Sequence, residues 1–257
     1  MQLIPELKKF YKTNKRDLPW RKTRDPYKIL VSEVMLQQTQ VERVVPKYKA
    51  FLKEFPTVSA LAKAPLSIVL KQWQGLGYNR RGKFLHEAAK VIVKDGWAGK
   101  LPGVGPYTRA AVEAFAHNKP TVFIETNIRT VFTHFYFPNK SGVNDIELLL
   151  RIEKDLKKSK MEPRDFYAAL MDYGSYLKRS GVKINKQSKH YTKQKKFEGS
   201  ERQLRGAVLR EVLKQPQTLH ALAKSLDKEK EKVAQLLARL VVEGLIQKQG
   251  SRYVVAD

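Results

Sequence analysis

Cysteine is absent from this 257-residue chain. Its absence excludes a disulfide framework, a thiolate-held iron–sulfur cluster and a thiolate zinc site. Acidic residues are scarce: 25 Asp and Glu stand against 50 Lys and Arg, a net charge of +25. The isoelectric point lies near 10.1. Such an excess points to a polyanionic partner, nucleic acid before an acidic membrane surface. The plainer alternative is a solvated, highly charged surface. Long hydrophobic runs are missing too. None approaches the roughly 20 apolar residues of a membrane span. The opening MQLIPELKKFYKTNKRDLPW has no uninterrupted apolar stretch of the signal-peptide kind. A cytoplasmic, nucleoid-associated protein is expected. What the chain does have is 42% hydrophobic residues, enough for a packed core, and a length that allows roughly two domains.

Hydrophobic periodicity is helical nearly throughout. Leu3, Leu7 and Phe10 share a face. Pro26 opens a helix through ILVSEVMLQQTQVERVV, and Pro46 opens KYKAFLKEF, which Pro56 ends. TVSALAKA and PLSIVLKQW follow, with Thr57 and Ser67 as capping candidates. Beyond the Gly75-Leu76-Gly77 turn come RRGKFLHEAAKVIV, YTRAAVEAFA, TNIRTVFTHFY, IELLLRIEKDLKK and FYAALMDYGSYLK. No alternating strand pattern appears before residue 245, so this part is read as all-α.

From Tyr176 to Phe197 there are eight Lys or Arg and no acid, which reads as a linker or a phosphate-facing loop. Residues 201–215 then form a helix carrying Leu204, Val208, Leu209 and Val212. Thr218 caps LHALAKSL, and Asp227 caps KEKEKVAQLLARLVVEGL. IQKQGSRYVV alternates about Gly250 as a β-ribbon. That order is a winged helix-turn-helix, binding either DNA or a protein surface.

Three stretches could carry chemistry. Leu36-Gln37-Gln38-Thr39-Gln40 sets amides and a hydroxyl amid apolar neighbours, suited to base edges. Just before it, Glu33 lies between Leu30 and Val34 on a face expected to be buried. It is either a carboxyl in an apolar pocket, with the raised pKa of a general acid, or a half-exposed Glu paired with Arg43 or another base. Leu101-Pro102-Gly103-Val104-Gly105 makes a tight hairpin before a helix, whose outward amides suit a phosphate oxygen. Ile124-Glu125-Thr126-Asn127 puts a carboxylate beside an Asn at a helix start. It could face a developing cation. It could equally be ordinary capping by Thr126 or Asn127, with Glu125 in the first turn.

LPWR at 18–21, DPYKILVSEVMLQQTQV at 25–41, WQGLGYNRR at 73–81, LPGVGPYT at 101–108 and ETNIRTV at 125–131 occur in this order. Together they closely resemble the adenine-mispair DNA glycosylases of the MutY type, within the endonuclease III helix-hairpin-helix-GPD superfamily. The resemblance covers about residues 3–180. It implies an all-α, two-lobed fold to which a winged helix-turn-helix is added. A six-helix lobe is expected over about 25–125 and a second lobe from 1–24 with 126–180. A basic linker at 181–199 and a winged domain at 200–257 complete the chain.

The resemblance also implies an activity: flipping a base from the duplex and cleaving its N-glycosidic bond. The family's general acid falls on Glu33, which would protonate the purine. Its second carboxylate, normally Asp, falls on Glu125; one extra methylene shifts the charge by about 1 Å. Tyr107 stands where bifunctional relatives carry a Schiff-base Lys, so base excision without strand cleavage is implied. Asn127 matches an active-site polar residue. Arg21 and Gln38 match contacts to the flipped base or its orphaned partner, Thr39 and Leu76 contacts to the opposite base, and Tyr78 the wedge entering the stack. Leu36 and Gln37, Arg80 and Arg81, and hairpin Gly103 and Gly105 join the DNA-binding set. Carbonyls of Gly99, Leu101 and Val104 would hold a hairpin metal cation; no other cofactor is implied.

The family's four cluster cysteines fall on Leu177, Ile184, Gln187 and Lys193, and the basic 178–196 segment would meet DNA without metal. Only seven residues separate Val93 from Leu101, so the first helix of the helix-hairpin-helix is expected to be very short. A winged helix replaces the domain that reads 8-oxoguanine in the best-known members. The implied partner is duplex DNA with a mispair, met by a monomer that excises adenine opposite 8-oxoguanine or guanine. The competing readings are a glycosylase for thymine or uracil opposite guanine, and a lesion-binding protein with weakened catalysis.

Overall fold

Proline and glycine set most of the helix limits in this chain. The structure, a computed structural model, describes residues 2–182, 184 and 198–257. In chain order its helices are α1 (Leu3–Asn14), α2 (Pro26–Leu36), α3 (Val41–Glu54), α4 (Val58–Lys63), α5 (Leu66–Trp73), α6 (Arg80–Asp95), α7 (Pro106–His117), α8 (Thr126–Tyr136), α9 (Asp145–Ser159), α10 (Pro163–Arg179), α11 (Glu201–Lys214), α12 (Leu219–Leu226) and α13 (Lys230–Val242). A 3-10 turn at Pro19–Arg21 precedes α2. Strands β1 (Gln217–Thr218), β2 (Ile246–Gln249) and β3 (Arg252–Val255) form one antiparallel sheet in the order β1-β3-β2. The all-α reading with a small winged module holds.

Contacts divide the described residues into two units, one drawn from 1–33 and 105–193, the other from 34–104 and 194–257. In the first, α10 is the central helix. It buries Phe166, Tyr167, Ala169 and Leu170 and packs chiefly on α8 and α1. Gly174 lets α10 approach closely: a Cβ there would lie 2.3 Å from the Asn127 carbonyl oxygen, and backbone cannot yield that far. Two residues earlier, Asp172 is 1% exposed. Its oxygens accept from the Arg16 amide at 3.1 Å and from Arg21 at 2.7 and 2.8 Å, and it also pairs with the Arg16 guanidinium. Burial pushes the Asp172 carboxyl up, but the two arginines outweigh it and hold the pKa below 3.8.

In the second unit α3 to α6 bury Val44, Phe51, Leu61, Val69, Trp73 and Leu85. The winged module has its own core of Val208, Leu222, Val233, Leu237 and Leu240. The sequence reading set 200–257 apart as a domain, yet it groups with 34–104. Arg205 pairs with Glu243, the Glu243 carbonyl accepts from Lys83 at 2.7 Å, and Asp257 accepts from the Ser67 amide and hydroxyl at 2.7 and 2.6 Å. Burial works to raise the Glu243 carboxyl, but Arg205, Arg80 and Lys83 hold it below its usual range.

Several local expectations are corrected. The helix expected to run on from Pro26 breaks after Leu36, where Gln38 takes a left-handed φ of 56°. The next helix begins at Val41, so Pro46 lies inside α3 and does not open it. Thr57 caps α4 through the Ala60 amide, as expected, but Ser67 is held by Asp257 and does not cap α5. Between Asp95 and Leu101 there is no helix: α6 runs to Asp95 and stops at Gly96, whose φ is 78°. Strand β1 is a third strand that lies before residue 245; two residues are too few to alternate visibly. Thr218 caps α12, whereas Asp227 is the left-handed C-cap of α12 and does not cap α13.

Candidate active site

Glu33 sits in the last turns of α2, a helix apolar all round, with Ile29, Leu30, Val31, Val34 and Met35 all buried. Such a helix belongs in a core, so it carries its one carboxyl there with it. Glu33 is 5% exposed. Of the two sequence readings the buried carboxyl is the observed one; Arg43 instead donates to the Gly75 carbonyl. The Tyr107 hydroxyl, near the start of α7, donates to Glu33 Oε2 at 3.0 Å. Desolvation raises the Glu33 pKa from 4.5 to about 7. The Tyr107 hydrogen bond opposes the rise and the charge of Glu125 adds to it. Burial and both carboxylates push the Tyr107 hydroxyl well above its usual 10, so it stays a neutral donor. The Tyr107 ring meets Phe123 edge-on at 5.6 Å, and Phe123 stacks on Tyr167 at 3.9 Å, so an aromatic wall backs this group.

Glu125 is itself the N-cap of α8, in extended conformation. Oε1 accepts from the amides of Asn127 and Ile128 at 2.8 and 2.9 Å, and Oε2 from Asn127 Nδ2 at 3.2 Å. The expectation that Thr126 or Asn127 caps this helix is thereby corrected: Glu125, one residue earlier, reaches the orphan amides with its longer side chain. Those three hydrogen bonds occupy all but one of a carboxylate's roughly four lone-pair sites, and Glu125 is partly exposed. Asn127 Oδ1 in turn accepts from Lys178 Nζ at 2.8 Å. In the sequence Lys178 stands only as the start of a basic run. The signal that could have found it is its place four residues after Gly174, on the face of α10 that meets Asn127.

Arg21 is committed within the first unit. Besides its fork on Asp172 it donates to the carbonyls of Arg16 and Ala168 at 3.1 and 3.2 Å. Asp172 fixes its planar fork.

The second unit holds the other expected contacts. Arg81 donates from one nitrogen to the carbonyls of Val34, Met35 and Gln37 at 2.8, 3.0 and 2.6 Å. From the other it donates to Thr39 Oγ1, Leu76 O and Gly77 O at 3.1, 2.9 and 3.0 Å. Burial pulls its pKa from 12.5 down to about 10, so it stays cationic at neutral pH. Arg81 therefore ties loop 36–40 to loop 75–78. Within those loops Leu36, Gln37 and Thr39 are partly exposed and Gln38 is exposed. Leu76 is 3% exposed, so its side chain packs inward. Tyr78 is 39% exposed with a φ of 47°, held by Arg202 at 2.7 Å from its hydroxyl. Arg80 is exposed and lies over the Phe84 ring at 5.2 Å.

We expect Arg81→Lys to lose about 1–3 kcal/mol in urea unfolding, since an ammonium cannot reach all these carbonyls. An unchanged midpoint would remove Arg81 from this role.

In the hairpin, the Val104 amide donates to the Leu101 carbonyl at 3.1 Å. Gly103 has a φ of 68°, and a Cβ there would lie 2.6 Å from Phe84 Cβ. Gly105 is the N-cap of α7, with Pro106 at its first position. The expected cation donors Gly99, Leu101 and Val104 are neutral carbonyls, one already closing this turn. That set suits a loosely held alkali cation, not a dedicated metal centre. Among the described residues no cluster of His, Asp or Glu could hold a metal ion. Of the positions matching cluster cysteines, Leu177 is buried in α10 and Ile184 is described alone. Gln187, Lys193 and most of the basic 178–196 segment lie outside the described residues.

The sequence at residues 31–154 matches the HhH-GPD superfamily of base excision DNA repair proteins, and the chain belongs to that superfamily. Among curated proteins it is similar to the adenine DNA glycosylase of Mycolicibacterium smegmatis, 38% identical over 189 residues, covering 68% of this chain and 63% of that one. The adenine DNA glycosylase of Buchnera aphidicola is 32% identical over 178 residues, covering 65% of this chain and 50% of that one. The chain thus spans about half to two thirds of these relatives. Among solved structures, a thermostable thymine-DNA glycosylase matches with a TM-score of 0.60 at 29% identity, covering 73% of this chain and 94% of that one. An endonuclease III–DNA covalent intermediate matches in fold with a TM-score of 0.53 at 17% identity, covering 72% of this chain and 92% of that one. No helix among the described residues is long and apolar enough to cross a membrane.

Proposed function

We propose that this chain is a monofunctional DNA glycosylase of base excision repair that releases mispaired adenine by hydrolysis of the N-glycosidic bond. The observation that carries this reading is the buried Glu33 carboxyl, raised to about 7, with Tyr107 on one oxygen and the charge of Glu125 near enough to be felt. A buried carboxyl with a raised pKa and a second carboxyl near it supply an acid and a charge stabiliser. Glu33 gives its proton to the extruded purine, which leaves neutral. The capped Glu125 carboxylate faces the positive charge growing on the sugar. Water adds at the anomeric carbon, and its proton returns to the carboxylate left on Glu33. Tyr107 offers no amine to the sugar, so strand cleavage through an imine at that position is not expected.

The partner is duplex DNA carrying a mispair, and the +25 charge supplies the sequence-independent part of binding. The Gln37-Gln38-Thr39 loop and Tyr78 supply base contacts, with Arg80 and the hairpin amides of Gly103 and Gly105 on the phosphates. A single chain carries all these groups, so a monomer suffices. A loosely bound cation on the hairpin carbonyls would strengthen phosphate contact without entering the reaction.

Coverage of 94% of a thymine-DNA glycosylase favours a second reading, removal of thymine or uracil opposite guanine. A panel of duplexes separates the two: adenine against 8-oxoguanine, adenine against guanine, and thymine or uracil against guanine. Adenine release with an intact strand is the expected result. Release of pyrimidine alone gives the second reading, and tight binding with no release from any duplex leaves a lesion-binding protein.

A further inference from the structure

The Glu125 side chain has three rotatable bonds, and its caps fix only one oxygen. Oε1 is pinned by two backbone amides. Oε2 is set by a side-chain amide, Asn127 Nδ2. The carboxylate only accepts, so it meets the Asn127 nitrogen and turns the amide oxygen away, and a donor on that oxygen locks the side chain in place. Lys178 Nζ, at 2.8 Å from Asn127 Oδ1, is that donor, because an ammonium only donates. The backbone makes this reach possible. Gly174 brings α10 against Asn127 itself, and Lys178 lies one turn further along the same face. Burial pulls the Lys178 ammonium below its usual 10.5 while the charge of Glu125 opposes that fall, as expected for a cation enclosed beside this carboxylate.

We propose that Lys178 is a positioning residue for Glu125, acting through Asn127 to orient the carboxylate that faces the sugar. The role deepens the glycosylase reading and rests on it. The relay of Lys178, Asn127 and Glu125 removes the freedom that the long glutamate side chain brings to this position. It also leaves Lys178 away from the reacting atoms, so its contribution falls on the rate of base release and not on duplex affinity.

Single-turnover base release and duplex affinity are measured for wild type, Lys178→Met, Lys178→Arg, Asn127→Ala and the Lys178→Met/Asn127→Ala double variant. Lys178→Met is expected to slow release about 100-fold, the scale of a 1 Å misplacement, with affinity and unfolding midpoint unchanged. Lys178→Arg, which still donates, recovers most of the rate. The double variant is no slower than Asn127→Ala alone, because both act on one path. Wild-type rates in Lys178→Met, or losses that multiply in the double variant, overturn the role. So does a slowed Lys178→Met that also unfolds earlier and binds duplex more weakly, since that pattern belongs to a structural residue. No base release by wild type on any duplex overturns the glycosylase reading together with this role; an active wild type with an equally active Lys178→Met overturns this role alone.

Discussion

Glu33→Gln is expected to bind mispaired duplex as tightly as wild type and to release base about 10²–10⁴-fold more slowly, the range for losing a positioned general acid. Gln keeps the shape and still accepts from Tyr107, so only the transferable proton is removed. The same substitution should stabilise the fold above neutrality. A carboxyl whose folded pKa, about 7, exceeds its ordinary 4.5 binds more protons folded than unfolded across that window. Stability is therefore withdrawn as pH rises through it. Gln carries no such cost. Thermal unfolding at pH 8 should show a higher midpoint for Glu33→Gln than for wild type, with the gap closing below pH 4.5. A catalytic group held in an unfavourable site commonly lowers stability in this way. If the variant released base at the wild-type rate, Glu33 could not be the acid.

Asp172→Ala should produce the largest loss of stability, about 3–5 kcal/mol, because it strands two guanidinium groups around a buried site. Arg21 and Arg16 both close on this carboxylate, and Arg21 is further locked to the Ala168 carbonyl. The pH dependence has the opposite sign to that of Glu33. The Asp172 pKa is held below its ordinary 3.8, so its contribution is complete above that value and is lost as pH falls below it, through the lower folded pKa. Urea unfolding at pH 7 and pH 3 should therefore show a variant-to-wild-type gap that narrows at the lower pH. A gap of equal size at both values would mean that packing, not the ion pair, holds the 3-10 turn to α10.

The helical fold was legible because most limits carry local punctuation: Pro106, Pro163 and Gly96 stand where helices begin or end. The break between α2 and α3 was not. QQTQ contains neither Gly nor Pro. Gln38 adopts its left-handed backbone where Arg81, more than 40 residues away, collects the carbonyls around it. Glu33 could be read as a candidate from its apolar neighbours on α2. Which of its two readings applied could not be read, since Tyr107 meets it from another element and the charge of Glu125 acts on it from a third. Glu125 looked like a first-turn residue because Glu is an uncommon N-cap and Thr126 and Asn127 are better ones. The clamp of Arg21 on Asp172 was not legible, because nothing near Arg21 in sequence announces that carboxylate. Lys178 disappeared into a run of lysines, although Gly174 stands one turn before it.

The most direct test of the central claim is the pH dependence of single-turnover base release from a mispaired duplex, measured from pH 5 to pH 9. Proton donation from a carboxyl titrating at about 7 predicts a plateau on the acid side and a fall of roughly tenfold per pH unit above neutrality. A rate that stays level, or rises, from pH 6 to pH 9 would contradict it.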